Sequence, residues 1–271
     1  MIGLLITAAG LFRLINIVSH FNPFHLSTAH YYSFYTTKKM FKLAIFDFDG
    51  TIFDSHDAIT HAISQTFTTL STHQPPESEI HRLISSGSDL RLTLTSLHPE
   101  NASFDMNEWV TKYRQIYAET SATRSTAYPG AEDVLQFMQA QGIPMAIISN
   151  KDVTAVKVAL ERVDLLKYFP EALIVGDNVP GAEQKPSTAS FINVLQPAMK
   201  KVYGGGYSVE GKDVLMVGDT VADIQFARNI GSQVCWCSYG QGNKAVCEKL
   251  EPDLTIDAFV DFIGLIRQLV V

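Results

Sequence analysis

Two acidic residues one position apart are the first candidates for chemistry. Asp47 and Asp49 lie in the run Asp-Phe-Asp-Gly-Thr at 47–51, directly after an apolar segment. Two carboxylates at the end of a strand can hold Mg²⁺ and still leave one group for proton transfer. Loop acids that cap a helix would show the same spacing. The pair by itself leaves a metal-assisted acid–base site and a structural cap both open.

Further polar groups follow at the ends of later segments. Ser149 and Asn150 close a second apolar run, Lys185 precedes a proline, and Asp219 closes another run with Asp223 four residues on. Each has an ordinary structural interpretation, because serine caps helices, an early aspartate favours the helix dipole, and lysine is usually solvated. Ligands of open α/β sheets bind beyond the carboxyl ends of the strands, where these groups are expected.

The elements that must position these groups are apolar runs alternating with helical patterns. Helical spacing such as Val153/Val156/Leu160 separates the runs. Strands that alternate with helices predict right-handed crossovers, and therefore an α/β fold built on a doubly wound parallel sheet. The four predicted strands are 43–46, 144–148, 214–217 and 233–237.

One stretch interrupts this alternation. From Ser55 to Ala127 the sequence has helical patterns, such as Ile59/Ile63/Phe67, and no strand-like run. We therefore predict a small α-helical cap domain at 55–125, inserted into a core formed by 41–54 and 126–271. A lid over the strand ends is the expected role of such an insert.

A loop within the insert is the candidate for substrate recognition. In the segment 85–91, Gly87 would allow a turn toward the site, and Arg91 can bind a carboxylate or phosphate through two parallel hydrogen bonds. A solvated helix position is the alternative for Arg91. A later stretch, 240–245, matches Gly-x-Gly-x-x-Ala, but it follows a late strand, and so a dinucleotide site is not expected there.

Composition bounds the class of protein. The chain has 271 residues, 46% of them hydrophobic, and a net charge of −7. This size and hydrophobicity indicate a folded core, and the acidic balance argues against nucleic acid as a partner. The three cysteines are too few for a disulfide framework, which favours reduced thiols and a cytoplasmic location.

The first forty residues differ from the rest, since residues 1–46 contain no Asp or Glu. We treat 1–40 as an N-terminal extension with three interpretations: a segment dispensable because Met40 is the true start, a targeting segment, or an anchor through the apolar run 1–18. The last two would make the location mitochondrial or membrane-associated. Membrane contact is not expected outside residues 1–18.

Taken together, the ordered motifs resemble those of the haloacid dehalogenase superfamily. The motifs are 47–51, Ser149-Asn150, Lys185-Pro186 and Gly218-Asp219 with Asp223, and the resemblance covers residues 41–271. The run Tyr128-Pro129-Gly130 and the helical insert are similar to phosphoglycolate-phosphatase-like members with a helical cap. The resemblance implies a Rossmann-like core with Mg²⁺ as cofactor.

The same resemblance implies a role for each motif residue. Asp47 would be the nucleophile and a metal ligand, and Asp49 the general acid and base, with its backbone carbonyl on the metal. Asp219 would complete the protein ligands of Mg²⁺, and Asp223 would orient them. Ser149, Asn150 and Lys185 would bind the phosphoryl group.

The implied function is a Mg²⁺-dependent phosphatase. It would hydrolyse a small phosphate monoester, phosphoglycolate-like or a sugar phosphate, through an aspartyl-phosphate. Family members that act on carbon–halogen bonds lack the second aspartate, so Asp49 favours phosphoryl transfer. A phosphomutase on a sugar phosphate and a non-catalytic phosphate-binding module stay open. The expected partner is the small-molecule substrate, and the chain is expected to be a monomer or homodimer.

Overall fold

In the computed structural model, residues 41–99 and 103–269 are described. The apolar run 1–18 and the alternative start at Met40 lie outside these residues. Among the described residues, no helix combines the length and apolar character needed to cross a membrane.

A six-stranded parallel sheet lies at the centre of the fold. The strands pair in the order β5-β4-β1-β6-β7-β8, while β2 and β3 form a separate antiparallel pair. In chain order the strands are β1 (Leu43–Phe46), β2 (Phe53–Asp54), β3 (Thr126–Ala127), β4 (Met145–Asp152), β5 (Ile174–Asp177), β6 (Val214–Gly218), β7 (Gln233–Cys237) and β8 (Leu254–Ile256).

Ten α-helices accompany these strands in the described part of the chain. A π-helical segment, Ser190–Leu195, leads directly into the seventh of them. The helices are α1 (His56–Leu70), α2 (Glu77–Ser85), α3 (Leu90–Leu97), α4 (Met106–Arg124), α5 (Ala131–Ala140), α6 (Val153–Arg162), α7 (Gln196–Tyr203), α8 (Val221–Ile230), α9 (Lys244–Glu248) and α10 (Asp261–Leu269).

Strand β1 shows how the sheet acquires two hydrophobic faces. Ala44 and Phe46 belong to a core cluster with residues of α5, α6 and α10, whereas Leu43 and Ile45 belong to a second cluster with residues of α7 and α8. Side chains alternate across a strand, so a continuous apolar run fits a strand covered on both sides. The predicted doubly wound α/β fold is confirmed.

Helices α1–α4, hereafter the helical insert, have a hydrophobic cluster of their own, with Ile63, Phe67, Leu94 and Trp109 among its buried members. The β2–β3 pair, Phe53 with Ala127 and Asp54 with Thr126, joins the two ends of the insert to the core. We expected no strand between Ser55 and Ala127, and β3 falls within that stretch, because this two-residue pairing is too short to leave an apolar pattern.

The predicted strands differ from the observed ones in extent and number. The runs 43–46 and 233–237 coincide with β1 and β7, and 214–217 lacks one residue of β6. The run 144–148 understates β4, which continues to Asp152 and so includes Ser149 and Asn150. Strands β5 and β8 were not predicted.

Candidate active site

The polar motif residues converge because their strands are neighbours. Strand β1 pairs with β4 on one side and with β6 on the other, all parallel. Asp47 follows β1, Ser149 and Asn150 lie toward the end of β4, and Asp219 follows β6. The carboxyl ends of these three strands therefore place the four residues at one edge of the sheet.

Lys185 lies between two of the acids. Its Nζ is 2.8 Å from Asp47 Oδ1 and 2.5 Å from Asp223 Oδ1, and only 2% of its side chain is exposed. The Lys185 backbone N–H donates to Asn150 Oδ1 at 2.7 Å, which fixes the loop that carries the lysine. Lys185 is therefore a buried, doubly paired ammonium, and the alternative of an ordinary solvated lysine does not hold.

Asp223 accepts hydrogen bonds from two neighbouring residues, Thr220 and Asp219. Its Oδ2 accepts hydrogen bonds from the Thr220 backbone N–H at 2.9 Å, the Thr220 hydroxyl at 2.7 Å and the Asp219 backbone N–H at 3.2 Å. Thr220 and Asp223 form a capping box at the start of α8. The same hydrogen bonds therefore fit both interpretations of Asp223, as an acid at the start of a helix and as a residue that orients the site.

Asp219 is fully buried and held by groups from two loops. Its Oδ2 accepts from the Gln241 backbone N–H at 2.6 Å, and Oδ1 accepts from the Thr51 hydroxyl at 3.3 Å. A Cβ on Gly50 would lie 2.2 Å from Asp219 Oδ2, and one on Gly240 would lie 2.3 Å from Asp219 Cβ. Gly240 therefore allows the loop to pack closely against Asp219, which the Gly-x-Gly-x-x-Ala pattern at 240–245 does not indicate.

Three acids of this site lie close enough together to share a cation. One carboxylate oxygen from each of Asp47, Asp219 and Asp223 lies within 4.8 Å of the others, and all three residues are buried. Asp47 Oδ1, despite the nearby Lys185, has no hydrogen bond of good geometry among the described residues. Carboxylate oxygens are the ligands Mg²⁺ prefers, so the donor set fits that ion.

Burial and neighbouring charges shift the pKa values of these groups. Burial raises the pKa of Asp47 to about 7, opposed by Lys185 and reinforced by Asp223. Burial, followed by the charges of Asp223 and Asp47, also raises the pKa of Asp219. Burial alone would lower the pKa of Lys185, but Asp223 and Asp47 outweigh it and raise the pKa. Crowded buried carboxylates of this kind favour a bound cation.

Asp49 has a separate set of partners. Lys151 Nζ donates to both of its carboxylate oxygens, at 3.0 and 3.1 Å, and the Ser55 hydroxyl donates to Oδ1 at 2.5 Å. Gln241 Nε2 in turn donates to Ser55 Oγ at 3.1 Å. Lys151 also stacks on the Tyr117 ring, with Nζ 4.0 Å from its centroid. The sequence analysis did not single out Lys151, although it directly follows Asn150.

Asn150 also links the core to the helical insert. Its Nδ2 donates to the Gly87 carbonyl at 3.1 Å and to the Lys185 carbonyl at 3.3 Å. Gly87 has a φ of +74°, and a Cβ there would lie 2.5 Å from Thr220 Oγ1. The loop after α2 therefore approaches the start of α8 as closely as a glycine permits.

A cavity of about 360 Å³ lies between the helical insert and the strand ends. Asp47, Asp49, Ser149 and Lys185 line one end of it. Arg91, the predicted substrate residue, is exposed and does not line the cavity, because its position in the first turn of α3 faces outward. Arginines that do line it are Arg114 and Arg162, which carry no recognisable motif.

Comparison with known proteins agrees with this geometry. The family model described as haloacid dehalogenase-like hydrolase matches residues 44–237. A phosphoglycolate phosphatase of Pectobacterium atrosepticum is 29% identical over 223 residues, covering 82% of this chain and 90% of the relative. One from Nitrosococcus oceani is 25% identical over 233 residues, covering 84% and 97%.

Solved structures show the same fold. A protein described as a predicted phosphoglycolate phosphatase, from Haemophilus somnus, aligns with a TM-score of 0.69 at 24% identity over 84% of this chain and 99% of that one. A haloacid dehalogenase-like hydrolase of Streptococcus pneumoniae aligns with a TM-score of 0.67 at 22% identity over 83% and 98%. The predicted enzyme class, a phosphatase, is confirmed, and the chain belongs to the haloacid dehalogenase-like hydrolase family.

Proposed function

We propose that the protein is a Mg²⁺-dependent phosphatase that hydrolyses a small-molecule phosphate monoester through an aspartyl-phosphate on Asp47. The observation that carries the proposal is the position of Asp47, buried beside Lys185 and within 4.8 Å of two further carboxylates, at the end of a cavity. The curated relatives, named phosphoglycolate phosphatases, support a phosphoglycolate-like or sugar-phosphate substrate.

In this proposal Asp47 attacks phosphorus while the bond from phosphorus to the leaving oxygen breaks. Asp47, Asp219 and the Asp49 backbone carbonyl would hold Mg²⁺, with Asp223 orienting these ligands, and the ion would supply charge neutralisation on the phosphoryl oxygens. Lys185 offsets the charge that Asp47 brings to a phosphate dianion. A carboxylate is a weak nucleophile toward an anion, so this neutralisation is what makes the attack feasible.

Asp49 moves the proton in both half-reactions. It donates a proton to the leaving alkoxide, then accepts one from the water that hydrolyses the aspartyl-phosphate. Lys151 and Ser55 hold its carboxylate in one orientation. The proton that leaves with the alcohol is thus replaced by one from water, and the enzyme returns to its starting state.

Ser149 and Asn150 bind the transferred group in this proposal. Ser149 is buried and lines the cavity, and its hydroxyl would donate to a phosphoryl oxygen together with the Asn150 backbone N–H. The side chain of Asn150 is already used to hold Lys185 and Gly87, which suits a role in shaping the site.

The remaining parts of the proposal concern organisation and location. The helical insert acts as a cap, with 55–125 as its extent and 41–54 plus 126–271 as the core. A cytoplasmic location is supported by Cys235, Cys237 and Cys247, which are free and buried. The substrate is the proposed partner, with a monomer or homodimer as the assembly.

Release of inorganic phosphate tests the function. The purified protein is assayed with Mg²⁺, and with chelator in its place, on 2-phosphoglycolate, sugar phosphates and p-nitrophenyl phosphate. We expect release that requires Mg²⁺. Interconversion of a hexose phosphate without net release would indicate a mutase instead, and phosphate binding without turnover would indicate a non-catalytic module.

A further inference from the structure

Apolar side chains line a large part of the cavity. The helical insert contributes Ile59, Ile63 and Leu90 to its wall, and helix α6 of the core contributes Ala155 and Val158. A phosphate monoester bound with its phosphoryl group at Asp47 would place its leaving group against these side chains. Apolar walls favour a leaving group that buries hydrocarbon.

The cavity is also large for a small acid. Its volume is about 360 Å³, within the range of about 300–1,000 Å³ that is typical of small-molecule pockets. Glycolate has a two-carbon skeleton and would leave much of the apolar wall in contact with water. A longer or cyclic alcohol would cover that wall.

The cations that line the cavity all contact protein oxygen atoms, although the buried Nε of Arg114 has no hydrogen-bond partner among the described residues. Lys151 is taken by Asp49, and Lys185 by Asp47 and Asp223. Arg162 also lines the cavity. It is exposed, and it donates hydrogen bonds to the backbone carbonyl and the hydroxyl of Ser125, directly after α4.

Two carboxylates contact Arg114, and one of them, Asp152, also caps helix α6 and accepts a hydrogen bond from Asn178 Nδ2. Arg114 Nη2 is 2.6 Å from Asp177 Oδ2 and 3.3 Å from Asp152 Oδ2, so two carboxylates share one guanidinium. All three residues line the cavity. A carboxylate on the leaving group would have to compete with Asp177 and Asp152 for Arg114, and it would be repelled by whichever remained.

We propose that the natural leaving group is an uncharged alcohol with an apolar flank, larger than glycolate, and that the Asp152–Arg114–Asp177 cluster selects against leaving groups that carry a carboxylate. This inference rests on the proposed phosphatase function and, of the substrates proposed there, argues against the phosphoglycolate-like one. It assigns the cluster a specificity role in addition to joining α4 to the ends of β4 and β5.

Matched substrate pairs test it on the full-length protein. Glycerol 3-phosphate and 3-phosphoglycerate differ only in a neutral against an anionic terminus, and benzyl phosphate and 2-hydroxyethyl phosphate differ in apolar bulk. We expect kcat/KM for glycerol 3-phosphate to exceed that for 3-phosphoglycerate by at least about tenfold. We expect benzyl phosphate to exceed 2-hydroxyethyl phosphate by a similar factor.

A variant tests whether the selectivity against carboxylate-bearing leaving groups arises from the Asp152–Arg114–Asp177 cluster. Asp177→Asn removes one of the two charges that hold Arg114, and it should raise kcat/KM for 3-phosphoglycerate relative to glycerol 3-phosphate by about fivefold. Asp133→Asn is the matched control, because Asp133 is an exposed aspartate of α5 that does not line the cavity. The control should leave the ratio unchanged.

The outcomes separate this inference from the proposed function. Mg²⁺-dependent release from p-nitrophenyl phosphate, combined with a preference for 3-phosphoglycerate or 2-phosphoglycolate over the neutral esters, would overturn the inference and leave the phosphatase intact. An unchanged ratio in Asp177→Asn would overturn the role of the cluster. Absence of release from every ester would overturn both.

Discussion

The Asn150 side chain donates a hydrogen bond to the backbone carbonyl of Gly87, with 3.1 Å between Nδ2 and oxygen. Asn150 belongs to β4, which ends at the edge of the sheet that carries the candidate active site, and Gly87 belongs to the loop after α2 of the helical insert. The same Asn150 accepts from the backbone N–H of Lys185 through Oδ1. One amide thus connects the position of the insert to the loop that carries the ammonium facing Asp47.

Gly87→Ala should displace the helical insert from the edge of the sheet that carries the candidate active site. A Cβ at Gly87 would lie 2.5 Å from Thr220 Oγ1 and 2.9 Å from Ala222 Cβ, and the φ of +74° is itself unfavourable for alanine. We expect kcat/KM to fall by about a hundredfold, since small displacements of positioning groups have effects of that size. Steady-state kinetics with p-nitrophenyl phosphate measures the fall.

Gly231→Ala is the control for that variant. Gly231 has a φ of +76°, nearly that of Gly87, but a Cβ there meets nothing within 4 Å. Its substitution should cost about 1 kcal/mol of stability through the backbone alone and leave activity unchanged. Equal kinetic losses in the two variants would mean that the close approach of Gly87 to Thr220 has no functional role.

Much of the sheet could be predicted because its central strands are continuous apolar runs. Strands β1 and β7 carry that signal at full strength. Strand β5 does not, because Gly176 interrupts it; a Cβ there would lie 2.6 Å from the Lys151 carbonyl, so the neighbouring strand requires a glycine. Strand β8 is a three-residue edge strand with Thr255 exposed, and it leaves no apolar pattern.

The residues of the candidate site can likewise be separated into those that the sequence predicts and those that it does not. Residues at strand ends, such as Asp47, Asn150 and Asp219, were predictable because parallel strands carry their carboxyl ends to one edge. Lys151 and Gln241 were not, since their partners Asp49, Ser55 and Asp219 are distant in sequence and brought close only by the fold. The predicted role of Arg91 required the loop 85–91 to direct this side chain toward the site, and no sequence pattern indicates in which direction that side chain points.

Lys185→Met should remove activity and destabilise the protein. It leaves Asp47 and Asp223 without the ammonium that now lies 2.8 and 2.5 Å from them in a buried setting. Loss of one partner from a buried ionic cluster costs about 3–5 kcal/mol. Chemical denaturation measures this loss, and phosphate release measures the accompanying fall in turnover.

Lys212→Met is the surface counterpart of that variant. Lys212 pairs with Glu210 at 2.7 Å, but both side chains are mostly exposed. Its substitution should leave stability and turnover unchanged, because exposed ion pairs contribute little. A Lys185 variant as stable and active as this control would remove the lysine from the proposed mechanism.

Asp47→Asn should abolish turnover while leaving the fold intact. The amide has the size of the carboxylate but cannot form the acyl phosphate, so kcat should fall by about 10⁴-fold or more. Mass spectrometry of acid-quenched enzyme should find phosphoryl on Asp47 in the unmodified protein. Circular dichroism checks the fold of the variant, and turnover at the normal rate would exclude Asp47 as the nucleophile.

The raised pKa of Asp47 also has a consequence for stability. In the unfolded chain Asp47 titrates near 3.8, whereas burial raises its pKa to about 7 in the fold. Between these values the metal-free folded protein binds more protons than the unfolded chain. The contribution of this group to the free energy of unfolding therefore decreases as pH rises through the window from 3.8 to about 7.

Mg²⁺ should reverse this decrease, because it binds the ionised carboxylates and so becomes more stabilising as pH rises. At pH 8 and a metal concentration far above its Kd, we expect Mg²⁺ to raise Tm by about 5 °C, and by much less at pH 5. Thermal unfolding with Mg²⁺ and with chelator measures both shifts. Asp47→Asn should weaken the dependence of the metal effect on pH but not remove it, because burial also raises the pKa of Asp219. Asp57→Asn, which alters a mostly exposed aspartate paired with Arg124, should keep the full dependence. A Mg²⁺ effect equal at both pH values would contradict the assignment of Asp47 as a metal ligand.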